Sequence, residues 1–295
     1  MDLKLYGAID IGTNAGRLLI GYIVESAGFL RTRQVEMVRV PLRLGKDVFE
    51  TGSISKPKQE QLVNSLMSFK LLMDVYGVQK YRAYATSALR EAKNSSEITK
   101  MAGKRTGIFI EAIDGQKEAD LIMSTFYTQP MPDMPYLFID IGGGSTELSV
   151  IFKGVRQNSR SFPIGTVREL MGRNDPQTWK EIEQWISEHK IPGVPMAAVG
   201  TGGNINRVAK ILQKLYLQTI SLDEINAVLD NLKSMSYEER VIELLLKPDR
   251  ADVIIPALEI FTSIMRSAKI DFTYVPRMGL ADGMLLEQYK DDIEN

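Results

Sequence analysis

The chain has 295 residues, no cysteine and a single histidine, His189. The lack of cysteine excludes disulfide bonds, thiolate zinc sites and a cysteine nucleophile. One histidine cannot form a cluster of histidine metal ligands, and a Ser-His-Asp triad would depend on that residue alone. Enzymes that need any of these groups are therefore poor candidates for this sequence.

The chain also has almost no net charge and no long apolar run. Lys and Arg number 36 and Asp and Glu 37, which leaves a formal charge of −1. Nucleic-acid-binding domains are usually clearly basic, and a membrane helix needs about 20 mostly apolar residues. The N-terminus has neither the basic start nor the apolar run of a signal peptide. We expect a cytoplasmic protein with no nucleic-acid or membrane partner, and a homodimer stays open.

Two short apolar runs end in the same tripeptide, Asp-Ile-Gly. Residues 5–9 lead into Asp10, residues 136–139 lead into Asp140, and a second apolar run follows each glycine turn. Each pattern predicts a β-hairpin. The two hairpins are about half a chain length apart, which predicts two similar domains. A chance match of three residues is the alternative.

Helical patterns alternate with these strands, which is typical of an α/β protein. A helix is predicted from Ser55 to Gly77, a strand over residues 81–85 and a helix over residues 115–126. The three prolines in residues 129–135 predict a linker, and mostly helix is expected after residue 203. We expect one domain over residues 1–125, joined by a final helix of about residues 284–295, and a second over residues 126–283.

Three glycine-rich turns follow apolar strands and are candidate phosphate-binding loops. Glycine lets backbone N–H groups crowd around a phosphate, and Ser, Thr or Asn adds further donors. A tight structural turn is the alternative for any one loop. Neither the P-loop nor the dinucleotide fingerprint is present. The candidate residues are Gly12, Thr13, Asn14, Gly142, Gly143, Gly144, Ser145, Thr146, Gly200, Thr201, Gly202 and Gly203.

Three carboxylates accompany these turns, namely Asp10, Asp140 and Glu147. Mg²⁺ commonly binds through one or two carboxylates together with substrate phosphates, so a magnesium site is predicted, with Mn²⁺ as the alternative metal. Turn capping is the alternative role for Asp140 and Glu147. A further acid, Glu118, starts a predicted helix, where the sequence alone favours a simple helix-dipole charge.

Basic side chains beside the turns could neutralise phosphates. They are Arg17, Arg90 and Arg250, and an arginine fork binds phosphate through two hydrogen bonds. A solvated surface position is the alternative for each of them.

The motifs together resemble the exopolyphosphatase / guanosine pentaphosphate phosphohydrolase family. They occur in order at residues 10–14, 85–94, 140–148, 200–203, 247–254 and 279–287. The resemblance implies the fold of the actin/Hsp70/sugar-kinase superfamily, with two ribonuclease-H-like domains and an active site in the interdomain cleft. The chain is similar to the short, two-domain form of the family.

The resemblance also implies a reaction: water, with Mg²⁺, removes a terminal phosphate from inorganic polyphosphate or guanosine pentaphosphate. Glu118 falls on the catalytic base of the family motif Gly-x-x-Glu-Ala. Asp140 and Glu147 fall on the acids associated with metal and water, and the glycine turns on the phosphate cradle. Arg17 and Arg90 match arginines suited to phosphate contacts.

Four positions depart from the family pattern. Gln116 and Lys117 stand where the family usually has acids, Asp120 replaces an arginine, and Ala15 replaces a small hydroxyl residue. These changes could weaken binding or alter the substrate. Two rival functions stay open, an ATP-dependent kinase or ATPase of the same superfamily and a non-catalytic sensor of guanosine tetraphosphate or pentaphosphate.

Overall fold

The computed structural model describes residues 3–26, 28–126, 128 and 131–294. The chain consists of two compact units, Met1–Gln129 with Met278–Asn295, and Pro130–Arg277. Two residues of the expected linker, Gln129 and Pro130, lie outside the described residues. Within the described ranges, no helix has the length and apolar character needed to span a membrane.

Strands and helices alternate along the chain. The strands are β1 Tyr6–Ile11, β2 Gly16–Ser26, β3 Phe29–Val40, β4 Lys80–Ala85, β5 Glu111–Ala112, β6 Tyr136–Ile141, β7 Thr146–Phe152, β8 Val155–Phe162, β9 Ala197–Thr201, β10 Ile220–Ser221 and β11 Phe272–Tyr274. The helices are α1 Leu44–Thr51, α2 Lys56–Tyr76, α3 Ser87–Glu91, α4 Ser95–Thr106, α5 Gly115–Phe126, α6 Thr166–Leu170, α7 Pro176–His189, α8 Gly203–Ile211, α9 Leu222–Ser234, α10 Tyr237–Ile242, α11 Pro248–Ala251, α12 Ile254–Ala268 and α13 Leu280–Glu294.

The first unit contains a five-stranded sheet in the order β3-β2-β1-β4-β5. Strands β1, β2 and β3 form an antiparallel meander, whereas β4 and β5 continue the sheet in parallel. Apolar side chains of β1 and β2 pack against α2, where Leu62, Leu66 and Phe69 are at most 1% exposed. Helix α2 follows Ser55 and ends at Gly77, whose φ of 67° is left-handed. Glycine adopts that conformation without strain.

The second unit repeats this topology in a six-stranded sheet, β10-β11-β9-β6-β7-β8. Strands β6, β7 and β8 form the antiparallel meander, and β9 and β11 extend the sheet in parallel. Its core joins the sheet to α7, α8 and α12 through buried side chains such as Ile139, Ile182 and Phe261. The predicted duplication of a β-hairpin is therefore present as a duplication of most of a sheet.

The two hairpin turns have the same backbone geometry. Gly12 N–H donates to the carbonyl of Ala15 at 3.0 Å, and Gly142 N–H donates to the carbonyl of Ser145 at 2.9 Å. In both hairpins the aspartate pairs with the residue just after the turn, Arg17 in one and Glu147 in the other. Equal turns with different partners give the two hairpins different chemistry.

The expectation of mostly helix after residue 203 is confirmed, although two short strands, β10 and β11, lie among the helices. Strand β10 pairs with β11, and β11 pairs in parallel with β9. These strands have two and three residues. Such short segments carry too little periodicity for a sequence pattern, and their partners lie far away along the chain.

Candidate active site

The first glycine turn lies where two parallel strands end. Strands β1 and β4 run side by side, so the residues that follow them meet at one edge of the sheet. The hydroxyls of Thr13 and Ser87 are 2.6 Å apart there, and both residues are buried. The turn is fixed further because the carbonyl of Asn14 accepts a bond from Arg43 N–H at 2.8 Å. Thr13 and Asn14 are thus held by neighbouring segments.

Asp10 and Arg17 bind each other within the first hairpin. The Arg17 Nη1 atom donates to Asp10 Oδ2 at 2.6 Å, and Asp10 is only 3% exposed. A buried carboxylate needs a charged or hydrogen-bonded partner, and Arg17 supplies it. A metal contact by Asp10 and a phosphate contact by Arg17 stay predictions, and each would require that the residue exchange its present partner.

Glu118 lies in the first turn of α5 and is 8% exposed. Its Oε2 atom is 3.9 Å from Nη1 of Arg90. The same Arg90 nitrogen donates to the carbonyl of Ile113 at 2.8 Å, just before the helix. A helix-dipole charge has no need of burial, so the structure favours a more specific role for Glu118 than the sequence alone suggested. Arg90 lies beside it as a positive neighbour.

The departures from the family pattern at Gln116 and Asp120 lie on the outer face of α5. Both side chains are exposed, and Gln116 Nε2 donates to Asp120 Oδ1 at 3.2 Å. Glu118 between them is buried, because residues two apart on a helix point in different directions. These two substitutions therefore change the surface of α5 rather than the surroundings of Glu118.

In the second unit, the carboxylates of Asp140 and Glu147 lie at the mouth of the second hairpin. The two residues are directly opposite in the β6–β7 register, and a carboxylate oxygen of each lies within 4.8 Å of the other. Thr201, at the end of β9, donates its hydroxyl to Asp140 Oδ1 at 2.5 Å. Ser161 of β8 donates to Glu147 Oε1 at 2.8 Å. Four adjacent strands thus bring two acids and two hydroxyls together.

The donor set in this unit suits a hard divalent cation. The side chains offer oxygen atoms only, two carboxylates and two hydroxyls, and Mg²⁺ prefers oxygen ligands. Glu147 is 2% exposed and Asp140 is partly buried, and two neighbouring acids gain from a shared counter-charge. Asp140 and Glu147 therefore suit the expected metal. Asp10 suits it less well, because its carboxylate is bound to Arg17.

The carbonyl groups of the second glycine turn are held by the segment that starts α6. The carbonyls of Gly142 and Gly143 accept bonds from the N–H groups of Thr166 and Val167 at 3.1 and 2.8 Å, and Arg168 Nε donates to Gly144 at 2.5 Å. These oxygens would otherwise repel a phosphate. Their use inside the protein favours anion binding by the rest of the turn.

A close backbone approach fixes this turn from its other side. A methyl group added at Gly165 would lie 2.6 Å from the carbonyl of Gly143, so only glycine allows the packing. Thr146, the last residue of the predicted loop, is fully buried and donates to the carbonyl of Ile164 at 2.7 Å. Its hydroxyl serves the fold, and a phosphate contact by Thr146 stays a prediction.

The third glycine turn connects β9 to α8 and lies beside Asp140. Gly202 has a left-handed φ of 89°, and a methyl group added there would lie 3.1 Å from Asp140 Oδ1. Arg250 Nη1 donates to the carbonyl of Gly203 at 3.3 Å. The structure thus brings Arg250 next to the start of α8, where N–H groups and the helix dipole favour an anion.

Several residues that hold these groups were not found from the sequence. Ser87, Ser161 and Arg168 each contact a predicted site residue. Ser161 could have been found from the register of β7 and β8, which places it opposite Glu147. Arg168 binds a carbonyl 24 positions away in sequence, and no local pattern predicts such a contact.

Comparison with known proteins identifies the family. The model of the Ppx/GppA phosphatase family matches residues 23–291. Exopolyphosphatase 2 of Mycobacterium tuberculosis is 27% identical, over 97% of this chain and 99% of that protein. The crystal structure of a Ppx/GppA family member from Aquifex aeolicus is 26% identical, has a TM-score of 0.79 and covers 98% of this chain and 99% of that one. An exopolyphosphatase structure from Cytophaga hutchinsonii is 25% identical, with a TM-score of 0.82 and 98% of both chains covered.

These similarities extend over nearly the whole chain. They confirm the predicted α/β fold class with two ribonuclease-H-like domains, since the Aquifex aeolicus and Cytophaga hutchinsonii structures superpose on 98% of the chain. The expectation of a phosphohydrolase is confirmed as well. The chain belongs to the Ppx/GppA phosphatase family.

Proposed function

We propose that this protein removes the terminal phosphate from inorganic polyphosphate, guanosine pentaphosphate, or both, by attack of a water molecule. Glu118 acts as the base that orients and deprotonates the water. The glycine turns, together with Arg90 and Arg250, bind the phosphates. Asp140 and Glu147 hold a divalent cation, for which Mg²⁺ is our first choice.

The observation that carries the proposal is the group of oxygen atoms around Asp140 and Glu147. Two carboxylates, kept in place by Thr201 and Ser161, lie beside two glycine turns whose backbones are fixed. A bound cation would supply Lewis-acid neutralisation of phosphate charge. Phosphoryl transfer requires chiefly positioning and charge stabilisation, so rigid donors are the parts that matter.

Glu118 has the properties expected of a base that works on water. It is withdrawn from solvent, and the Arg90 guanidinium 3.9 Å away can keep the carboxylate oriented. Arg90 can also neutralise negative charge that accumulates on the transferred phosphoryl group. The names of the exopolyphosphatase relatives support polyphosphate as a substrate, and guanosine pentaphosphate is supported by the resemblance of the motifs alone.

The test is metal-dependent phosphate release by wild type and Glu118→Gln. We expect release from at least one substrate with Mg²⁺ and without ATP. We expect a loss of about 100-fold or more in kcat for Glu118→Gln, since general base catalysis contributes roughly 10²–10⁴-fold. The relative rates on polyphosphate and guanosine pentaphosphate identify the preferred substrate, and titration with Mg²⁺ and Mn²⁺ identifies the preferred metal.

Asp120→Asn is the matched control, because it neutralises a carboxylate on the exposed face of the same helix. It should retain activity close to wild type. Full activity in Glu118→Gln would remove that residue as the base. Release that requires ATP would favour the kinase or ATPase reading, and tight nucleotide binding without release from either substrate would favour the sensor.

A further inference from the structure

The helix that carries Glu118 is fastened to the C-terminal helix by an ion pair. Lys117 of α5 contacts Glu287 of α13 through its Nζ atom and Oε1. Both residues belong to the first unit, although they are 170 positions apart in the sequence. The residue that directly precedes the proposed base is therefore anchored to an element from the far end of the chain.

The backbone of Lys117 is anchored as well as its side chain. Its N–H donates to Asp114 Oδ1 at 2.7 Å, and Glu118 N–H donates to the carbonyl of Asp114 at 3.0 Å. Asp114 thus caps the first turn of α5. The first turn of α5 is therefore restrained twice, by the backbone bonds to Asp114 and by the side-chain ion pair of Lys117. Together these contacts limit how far the turn can shift.

Glu287 is itself held by two residues of β4. Tyr84 donates its hydroxyl to Glu287 Oε2 at 2.8 Å, and Arg82 Nη1 lies 3.2 Å from the same oxygen. Burial above all raises the pKa of Tyr84 to about 12, so its hydroxyl remains a donor at neutral pH. Lys117 Nζ also lies 5.7 Å from the centre of the Tyr84 ring. Glu287 is therefore a fixed acceptor for Lys117.

The charge of Lys117 is unfavourable at its own position in α5. A cation in the first turn of a helix opposes the helix dipole. An unfavourable local charge of this kind is expected where the side chain makes a compensating contact elsewhere in the structure. The pair itself is partly solvated, with Lys117 39% and Glu287 17% exposed, and such pairs stabilise a fold little.

We propose that Lys117 and Glu287 are a positioning pair that sets the orientation of the Glu118 carboxylate. The inference rests on the proposed role of Glu118 as base. It explains why a cation stands at this helix start, because Lys117 links α5 to α13. Lys117 is a positioning residue and does not contact substrate in this proposal.

The test is the kinetics of Lys117→Met and Lys117→Arg on polyphosphate of one chain length. Lys117→Met removes the link but leaves Glu287 bound to Tyr84 and Arg82, so the fold should persist. We expect kcat to fall by roughly 10- to 100-fold, because displacements of about 1 Å can cost 10²-fold, with KM nearly unchanged. Lys117→Arg keeps the ion pair and should restore most of kcat.

The matched control is Lys80→Met, which removes another lysine–carboxylate ion pair made by α13. Lys80 binds Asp292 of α13 at 2.9 Å and connects it to β4 rather than α5. This variant should keep kcat near wild type. A wild-type kcat in Lys117→Met, an equal loss in Lys80→Met, or no recovery in Lys117→Arg would each overturn the inference.

Two further measurements separate this inference from the proposed function. Glu118→Gln in the same assay tests the base independently of Lys117. Hydrogen exchange needs no activity, and the amides of residues 115–120 should exchange faster in Lys117→Met than in Lys80→Met or wild type. Equal exchange in all three proteins would overturn the inference even if no substrate were turned over. If Lys117→Met does not fold, Lys117→Gln provides the same comparisons.

Discussion

Substitution of Gly283 by alanine tests how tightly α13 packs on α5. A methyl group at Gly283 would lie 2.5 Å from the carbonyl carbon of Leu121 and closer still to its oxygen. An ordinary contact needs about 3.4 Å, and the oxygen is the closer atom, so the two helices would have to separate by more than about 1 Å. The obstacle is backbone, and no side-chain rotation can relieve it. Overpacking of this kind costs about 1–3 kcal/mol, whereas alanine in place of glycine returns about 1 kcal/mol of helix propensity.

Because the obstacle is backbone, we expect a cost in the upper part of that range, about 2–3 kcal/mol. The net loss is then about 1–2 kcal/mol, and Tm should fall by roughly 2–8 °C. Thermal unfolding followed by circular dichroism measures this directly. Gly279→Ala is the control, because it lies just before the same helix and its added methyl group meets nothing within 4 Å. A Gly283→Ala protein as stable as Gly279→Ala, or more stable than wild type, would refute the packing argument.

Two other predictions concern charged groups. Thr201→Val keeps the shape of the side chain but removes its 2.5 Å bond to Asp140. Hydrogen bonds to charged groups are worth about 1.5–3 kcal/mol, so half-maximal phosphate release should need roughly 10- to 150-fold more Mg²⁺. An unchanged metal titration would contradict this prediction. Hydrogen bonds from Lys4 and then Lys80 hold the pKa of Asp292 well below its ordinary value of 3.8, so this carboxylate stabilises the fold above that pH and less as the pH falls. Asp292→Asn should lower Tm slightly at pH 7, with a difference that narrows below about pH 3.8; a constant difference would exclude the ion pairs as its cause.

The sequence contained most of the local architecture of the two hairpins. A strand, a glycine turn and a second strand are contiguous in the chain, so the repeated Asp-Ile-Gly could predict both of them and their duplication. Helix α5 was likewise predictable over residues 115–126 because its apolar spacing is local. The short strands β10 and β11 were missed, since two or three residues become a strand only through distant pairing.

The chemistry of single residues depended on contacts that local patterns do not contain. Asp10 and Asp140 occupy equivalent turns, yet Asp10 binds Arg17 whereas Asp140 binds Thr201 and faces Glu147. The residue opposite the aspartate in the hairpin decides the difference. Arg17 neutralises Asp10, whereas Glu147 forms with Asp140 a pair of acids that needs a counter-charge. The duplicated hairpin was therefore visible in the sequence, but the unequal roles of its two copies required the register.

Glu118 and Lys117 show how a local rule can fail at a functional position. The sequence alone favoured a helix-dipole role for Glu118 and offered no local reason for a cation beside it. In the structure, Glu118 is buried near Arg90, and Lys117 reaches Glu287 of the C-terminal helix. Each residue is unfavourable by a local rule. A buried carboxylate loses its hydration, and a lysine in the first turn of a helix opposes the helix dipole. Such conflicts persist only where distant contacts compensate them, and here the compensating contacts converge on the first turn of the helix that bears the proposed base.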